Sequence, residues 1–462
     1  MILHPEYNGL QVLKLQAEEV RSHTGDSSAF KAMYSMLNDT NAAIDFCNVT
    51  VTYTHPGTKD KINVNVWLPL DGWNGKFMGM SGGGFLAGWP GSLALAVAAG
   101  YLQNFASVSL DDMAAIGKAV VRSYYGTAPR YSYWNGCSGG GRQGLMLAQR
   151  YPTHYDGILA AAPAIGWSEV ILSIYWSHVS MREIDYRPPP CELVAIVEAS
   201  IEACDELDGV KDGVISAPGL CRFDATWAVG RSCCDGRRKV SRAAAQIANE
   251  RFSGPSSDGL PLMAAWSHGT PLASTRPFGE NPIHMAQTRC DENDDHCAQV
   301  PFALSILWLK YWLAADPDFD PLTSVGYEEF LALLRKSRSW HGMADQLLPV
   351  NGTSDYYKTV LLQEPRTKDY FRYFEAPGVE HCMGGPGAFP VNALHALERW
   401  VEHGEAPGFL DGVAETFSRK ICAYPLVARY QGGDPNLASS FGCAEDFGRK
   451  VDSDYSARHE EL

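Results

Sequence analysis

Residues 62–68 alternate apolar and polar positions as INVNVWL, then meet Pro69 and the turn Asp71-Gly72-Trp73-Asn74-Gly75, which predicts a strand leaving into a loop. A second stretch, residues 76–80, runs into Ser81-Gly82-Gly83-Gly84-Phe85. Glycines after a strand let backbone N–H groups approach a ligand closely, although a flexible loop has the same composition. From Tyr131 the chain reads YSYWNGCSGGGRQGLMLAQRYP, a short aromatic strand, a tight glycine turn and a helix that Pro152 ends. Asp156-Gly157 then opens an apolar run over residues 158–162, which predicts a buried parallel strand. Strand, helix, strand in this rhythm predicts a parallel α/β sheet.

The rhythm breaks between about 167 and 330, where Pro188-Pro189-Pro190, clustered cysteines, Asp-Gly pairs and long loops take over. An insertion of this kind reads as a lid, dividing the chain into a first core part (1–166), the lid (167–330) and a second core part (331–462). From His341 the α/β pattern returns, and residues 393–401 predict a helix packed on the main sheet. The apolar run at 302–309 stops at Lys310, far short of the roughly 20 residues that span a bilayer, and predicts a buried helix. A chain of 462 residues has ample length for one large core with such an insertion.

The formal net charge of −15 repels phosphate backbones and anionic membranes, and no Lys/Arg-rich tract offsets it, which excludes nucleic acid as a partner. Twelve cysteines without any CxxC pair point to disulfides rather than metal. The triplets at Asn38, Asn48 and Asn351 fit glycosylation sequons and add weak support for an extracellular protein. The start MILHPEYNGL has no basic-then-apolar segment, as expected of a mature or incomplete amino end.

Gly136-Cys137-Ser138-Gly139-Gly140 fits G-x-S-x-G, whose small flanking residues permit the strained turn that exposes a nucleophilic serine. The pattern is common by chance, but here a strand precedes it and a helix follows. Ser138 is the expected nucleophile, with the Gly139 N–H as one oxyanion donor and Gly82 or Gly83 as the second. In an α/β-hydrolase the acid and the base follow the serine. Asp345, in Trp340-His341-Gly342-Met343-Ala344-Asp345, is the candidate acid, and His381, in Pro377-Gly378-Val379-Glu380-His381-Cys382, is the candidate base. A turn-capping role for Asp345, and a structural role for His341 or His381, are the plain alternatives. Cys137 beside the serine and Cys382 beside the histidine would be neighbours in an assembled triad, where a disulfide is feasible; two unrelated buried thiols is the other reading.

Residues 204–214, CDELDGVKDGV, alternate carboxylates with glycine turns. They resemble a Ca²⁺ loop in which Asp205, Asp208 and Asp212 supply side-chain oxygens and Val210 and Val214 carbonyls, without the spacing of an EF-hand. A pair of Asp-Gly hairpin turns has the same signature. Cys204 and Cys221 bracket the loop.

Together the segments DFCNVTV, VWLPLDGWNGKF, YSYWNGCSGGGRQGLMLAQRYPTHYDGILAAAPA, CDELDGVKDGV, WHGMADQLLPVNG and APGVEHCMGGPG resemble the tannase and feruloyl esterase family from about Asp45 to Gly442. The resemblance implies an α/β-hydrolase fold with a large lid and a Ser138-Asp345-His381 triad with Cys137 bonded to Cys382. It also implies a structural Ca²⁺ at the 205–214 loop with no organic cofactor, and secretion. The pairs Cys204–Cys221 and Cys422–Cys443 follow from it as well. The implied partner is a small or polysaccharide-linked aromatic ester of feruloyl or galloyl type. Trp176, Trp308 and Trp312 are candidates for an aromatic surface that reads its ring, with a core position as the plainer reading of each. Relative to the family pattern the chain lacks a cysteine to pair with Cys47. It is also shorter after Tyr101 and between Lys336 and Trp340, so two central strand regions are expected to be lost, with exposed sheet edges. A carboxypeptidase-like serine hydrolase on the same fold, or a member that binds phenolic ligands without turnover, are the rival readings.

Overall fold

The computed structural model describes residues 10–24, 43–57, 59–80, 102–105, 110–165, 167–257, 260–263, 265–274, 284–292, 296–335 and 351–445. These fall into two compact units. One comprises Met1–Ile165, His381–Met383 and Val391–Pro407; the other comprises Gly166–Glu380, Gly384–Pro390 and Gly408–Leu462.

The first unit is built on a seven-stranded sheet in the order β1-β2-β3-β5-β4-β6-β7. Its strands are β1 (Gln11–His23), β2 (Ile44–Thr54), β3 (Ile62–Pro69), β4 (Lys76–Met80), β5 (Leu102–Phe105), β6 (Tyr131–Cys137) and β7 (Gly157–Ala161). The first three form an antiparallel ribbon. The strands β5, β4, β6 and β7 run parallel to one another. Successive side chains point to opposite faces, and the core divides accordingly. Phe77 and Trp134 pack with Val49, Val51, Val64 and Val66 against Met113, Ile116 and Val120 of α1 (Leu110–Tyr125) and Leu147 of α2 (Gly139–Arg150). Met78, Met80 and Tyr133 face the other way, onto Leu394 of α9 (Ala393–His403). Burial on both faces explains why β4 and β6 read as nearly continuous apolar runs rather than alternations.

Two expectations change here. Leu102–Phe105 fills the slot between β3 and β4, with Asn65 opposite Phe105 and Phe77 opposite Leu102. The shortened segment after Tyr101 therefore still supplies a strand, and no open edge forms at that place. The strand β7 is half-buried along residues 158–161 rather than buried, because among the described residues it is the last strand on its side.

The second unit carries α3 (Trp167–Glu183), α4 (Pro190–Cys204), α5 (Arg242–Ser253), α6 (Ala303–Trp308), α7 (Tyr327–Arg335) and α8 (Asn351–Gln363), with several short sheets. One cluster joins Leu193, Ile196 and Val197 of α4 to Ala244, Ile247 and Ala248 of α5; another joins Leu172, Trp176 and Val179 of α3 to Leu309 and Phe330. The run at 302–309 is helical but only partly buried: α6 covers six residues and continues into a wider turn from Leu309, with Ser305 and Leu309 buried and Leu307 39% exposed, so one face packs on the core and the other meets solvent. By compactness, residues after 330 group mostly with the 166–330 segment, and only 381–383 and 391–407 join the sheet unit. The three-part division 1–166, 167–330 and 331–462 follows the pattern of the sequence, whereas this grouping follows packing. No helix among the described residues is long and apolar enough to cross a membrane.

Candidate active site

The strand β6 lies between β4 and β7, with Asn135 opposite Met80 and Cys137 opposite Ala161. In an open α/β sheet the crevice beyond the carboxyl ends of strands is the usual ligand site where the strand order reverses, and β4 and β6 flank such a point. Ser138 follows β6 immediately. Its backbone is left-handed, with φ 60° and ψ −123°, a conformation that costs a non-glycine residue about 1–3 kcal/mol. The surroundings hold it there: its N–H donates to the Ala161 carbonyl at 3.1 Å, and its carbonyl accepts from the N–H groups of Arg142 at 3.1 Å and Ala164 at 3.0 Å. Ser138 is half-buried while Cys137, Gly139 and Gly140 are buried, so the turn brings the serine outward from its neighbours.

The glycines after Ser138 make this packing possible. A Cβ on Gly141 would stand 2.4 Å from the Ala161 carbonyl oxygen, and one on Gly144 would stand 2.8 Å from Cδ1 of Trp134. The Trp134 indole N–H donates to the Gly140 carbonyl at 3.0 Å, fixing ring and helix together. Gly139 opens α2, where the first N–H groups have no acceptor within the helix, so its N–H is available to an anionic oxygen beside Ser138.

His381 lies in a loop closed by Glu380 N–H to the Gly384 carbonyl at 3.1 Å and Gly387 N–H to the Gly378 carbonyl at 2.9 Å, with Gly378 and Gly385 left-handed. It is half-buried, and the buried Cys382 is disulfide-bonded to Cys137 with Cα atoms 5.9 Å apart. Consecutive Cα atoms are about 3.8 Å apart, so with 5.9 Å between Cys137 and Cys382 the Cα atoms of Ser138 and His381 lie within about 14 Å of each other. Asp345, Gly82, Gly83 and His341 lie outside the described residues. Trp176 is a core residue of α3, 5% exposed, and not part of an open aromatic surface. Trp308 is half-buried at the end of α6, and nothing is described of the Trp312 side chain.

In the 205–214 loop the carboxylates are pinned by the loop's own backbone. Asp205 accepts from the N–H groups of Asp212 at 3.1 Å and Gly213 at 2.9 Å, Asp208 from Val210 at 3.0 Å, and Asp212 from Val214 at 3.1 Å. Gly209 and Gly213 take the left-handed turns this requires, with φ 94° and 79°. Asp212 also meets the Arg419 guanidinium. Burial pushes the Asp208 carboxyl up, and the neighbouring charges of Asp212 and Asp205 add to the shift. Three carboxylates as hard oxygen donors, with the one guanidinium of Arg419 against them, fit Ca²⁺ in composition. The loop is more open than a closed site: among the described residues the one trio with ligand atoms within 4.8 Å of each other is Cys191, Cys233 and Cys234. Cys191 and Cys234 are bonded to each other, which takes their thiolates out of play. A small open-sided cleft beside the loop is lined by Asp212, Phe417, Arg419 and Ile421, and contains neither Ser138 nor His381.

The structure also holds the disulfides Cys204–Cys221, Cys422–Cys443 and Cys290–Cys297. The pairings of Cys191 and Cys290 had no signal in spacing, and neither did the contact of Arg419 with Asp212, which are far apart along the chain. Cys47 is outside the disulfides.

A mixed sheet of this order, parallel through β5, β4, β6 and β7, with a left-handed serine between strand and helix, defines an α/β protein of hydrolase type. A model of tannase and feruloyl esterase matches residues 90–274 and 323–444, well over half of the chain. The chain belongs to the tannase and feruloyl esterase family. A probable feruloyl esterase of Arthroderma benhamiae is 37% identical over 88% of this chain and 87% of its own length. A mono(2-hydroxyethyl) terephthalate hydrolase of Piscinibacter sakaiensis is 30% identical over 73% of this chain and 67% of its own. Among solved structures, the tannin acyl hydrolase from Aspergillus niger superposes with a TM-score of 0.79 at 22% identity, covering 94% of this chain and 92% of that one.

Proposed function

We propose that the chain hydrolyses esters of aromatic carboxylic acids, of feruloyl or galloyl type, through an acyl-enzyme on Ser138. The supporting observation is the left-handed serine at the end of β6 joined through the Cys137–Cys382 disulfide to the neighbour of His381. In this reading His381 takes the Ser138 proton as Oγ attacks the ester carbonyl, and Asp345 holds the imidazole tautomer. The oxyanion accepts from the N–H of Gly139 and of Gly82 or Gly83. The alcohol departs with the proton from His381, and water then attacks the acyl-enzyme by the same route.

The 167–330 segment would act as the lid that reads the acyl ring. A Ca²⁺ held by Asp205, Asp208, Asp212 and the carbonyls of Val210 and Val214 would neutralise crowded carboxylates and fix the loop. Five disulfides and the relatives' family support an extracellular setting.

The test is labelling with a fluorophosphonate, followed by peptide mapping, on the wild type and on Ser138→Ala. Wild type is expected to carry the label on Ser138 and to hydrolyse methyl ferulate or methyl gallate, with rates at least ~10³-fold lower in Ser138→Ala. Undiminished ester hydrolysis by folded Ser138→Ala would sink the proposal.

A further inference from the structure

In the second unit, α3 and α5 face each other, pinned by two crossed bonds. The Trp176 indole donates to the Glu250 carbonyl at 3.0 Å, and Arg251 donates through Nη1 to the Ser173 carbonyl. At 100° per residue, Ser173, Trp176, Ser177 and Ser180 share the face of α3 turned to α5. The Ser173 hydroxyl is satisfied by the Val170 carbonyl at 3.0 Å, the ordinary solution for a helical serine. Those of Ser177 and Ser180, 0% and 1% exposed, have no partner among the described residues, and neither do Nε and Nη2 of Arg251, itself 1% exposed. The guanidinium stacks 3.9 Å from the Trp266 ring, which leaves its plane edges as the only places to bond.

A guanidinium does not give up its proton in a protein, so Arg251 brings a full positive charge into a dry interior. Among the described residues no carboxylate meets it. His178 is buried nearby but its pKa is lowered to about 3, by burial first and by Arg251 second, so its ring is neutral. An enclosed charge without a counter-charge is strongly disfavoured. The groups left over are two guanidinium N–H edges, two hydroxyls and the ring nitrogens of the neutral His178. The guanidinium edges can only donate, which rejects a cation beside them; a water could satisfy the hydroxyls and the imidazole, but it would leave the positive charge unbalanced, as an anion does not. A single positive charge balances a monovalent anion and is too little for phosphate or sulfate.

We propose that the α3–α5 interface of the second unit encloses a structural site for a monovalent halide, chloride under ordinary conditions, held by Nε and Nη2 of Arg251 and by the Ser177 hydroxyl, with Ser180 one turn further along. The site is independent of Ser138 and of the esterase reading. It predicts that the fold is sensitive to which anion is present.

The full-length protein is melted in sodium chloride, bromide and gluconate at equal ionic strength, and crystals are soaked in bromide. Expected are a halide-dependent rise in melting temperature, absent from Arg251→Met, and an anomalous bromide peak within hydrogen-bonding distance of Arg251 and Ser177. Ser177→Ala removes a charge-assisted bond and is expected to weaken halide affinity about tenfold without unfolding the protein. Density for water without an anomalous peak, or the same halide response in Ser177→Ala as in wild type, would overturn the assignment. Should Arg251→Met fail to fold, the bromide peak in wild type and the Ser177→Ala titration decide it.

Discussion

Gly141 has no room for a methyl group. A Cβ there would press on backbone, the Ala161 oxygen at 2.4 Å and the Pro163 Cα at 2.8 Å, and backbone has little freedom to yield. Gly141→Ala is expected to lower stability by about 1–3 kcal/mol by denaturant unfolding, and to shift Ser138, whose backbone leans on Ala161. Another single-residue effect is pH-dependent. His55 places Nδ1 2.5 Å from Asp60 and Nε2 3.3 Å from Asp112, a residue of the first turn of α1. The hydrogen bond to Asp60, with both carboxylate charges, raises its pKa. Folding therefore favours the protonated ring. Its contribution is full below the unfolded value of about 6.5 and fades as pH rises through the folded one. His55→Gln should lower the melting temperature more at pH 5.5 than at pH 9; an equal drop at both would remove the charged clamp. The Ser138 turn was legible because small residues around a serine are a local signal. Asp112 as a partner of His55 was not, since only the tertiary fold brings them together.

At the scale of elements, strands β3, β4 and β6 and helices α2 and α9 followed from periodicity: β3 alternates up to Pro69, whereas β4 and β6, buried on both faces, read as apolar runs with sharp glycine ends. The strand β1 gave no such signal: it is exposed along nearly its whole length and is held by its ladder to β2 rather than by a buried face. The strand β5 is only four residues long and is fixed by its two neighbours. The Cys137–Cys382 bond joins elements 245 residues apart. Replacing both cysteines by serine should cost about 2–5 kcal/mol of stability and reduce esterase activity further than that loss explains. Full activity in the folded double variant would show that the bond does not position His381. The proposed Ca²⁺ loop makes a separate prediction. Saturating Ca²⁺ at a hundredfold excess over Kd should stabilise the protein by about 2.7 kcal/mol, an increment reversed by EGTA and absent from Asp208→Asn. A melting temperature indifferent to both would dismiss the site.

On the scale of the whole molecule, the division into units was the least legible feature. The sequence marks where βα rhythm stops and resumes, but it does not mark which later segments return to the sheet. Packing decides that, through contacts such as Leu394 with Met78, Met80 and Tyr133. The chain passes between the two units five times.

That interleaving has a consequence for biosynthesis. The helix α9, which covers one face of the sheet, is translated only after residue 390, long after the strands it covers have left the ribosome. Until then Met78, Met80 and Tyr133 present an unshielded apolar face, and the thiol of Cys137 waits for a partner that has not yet been made. The nascent protein thus needs help late rather than early: a truncation before 391 should be insoluble and open to mispaired sulfurs, whereas the full chain should fold.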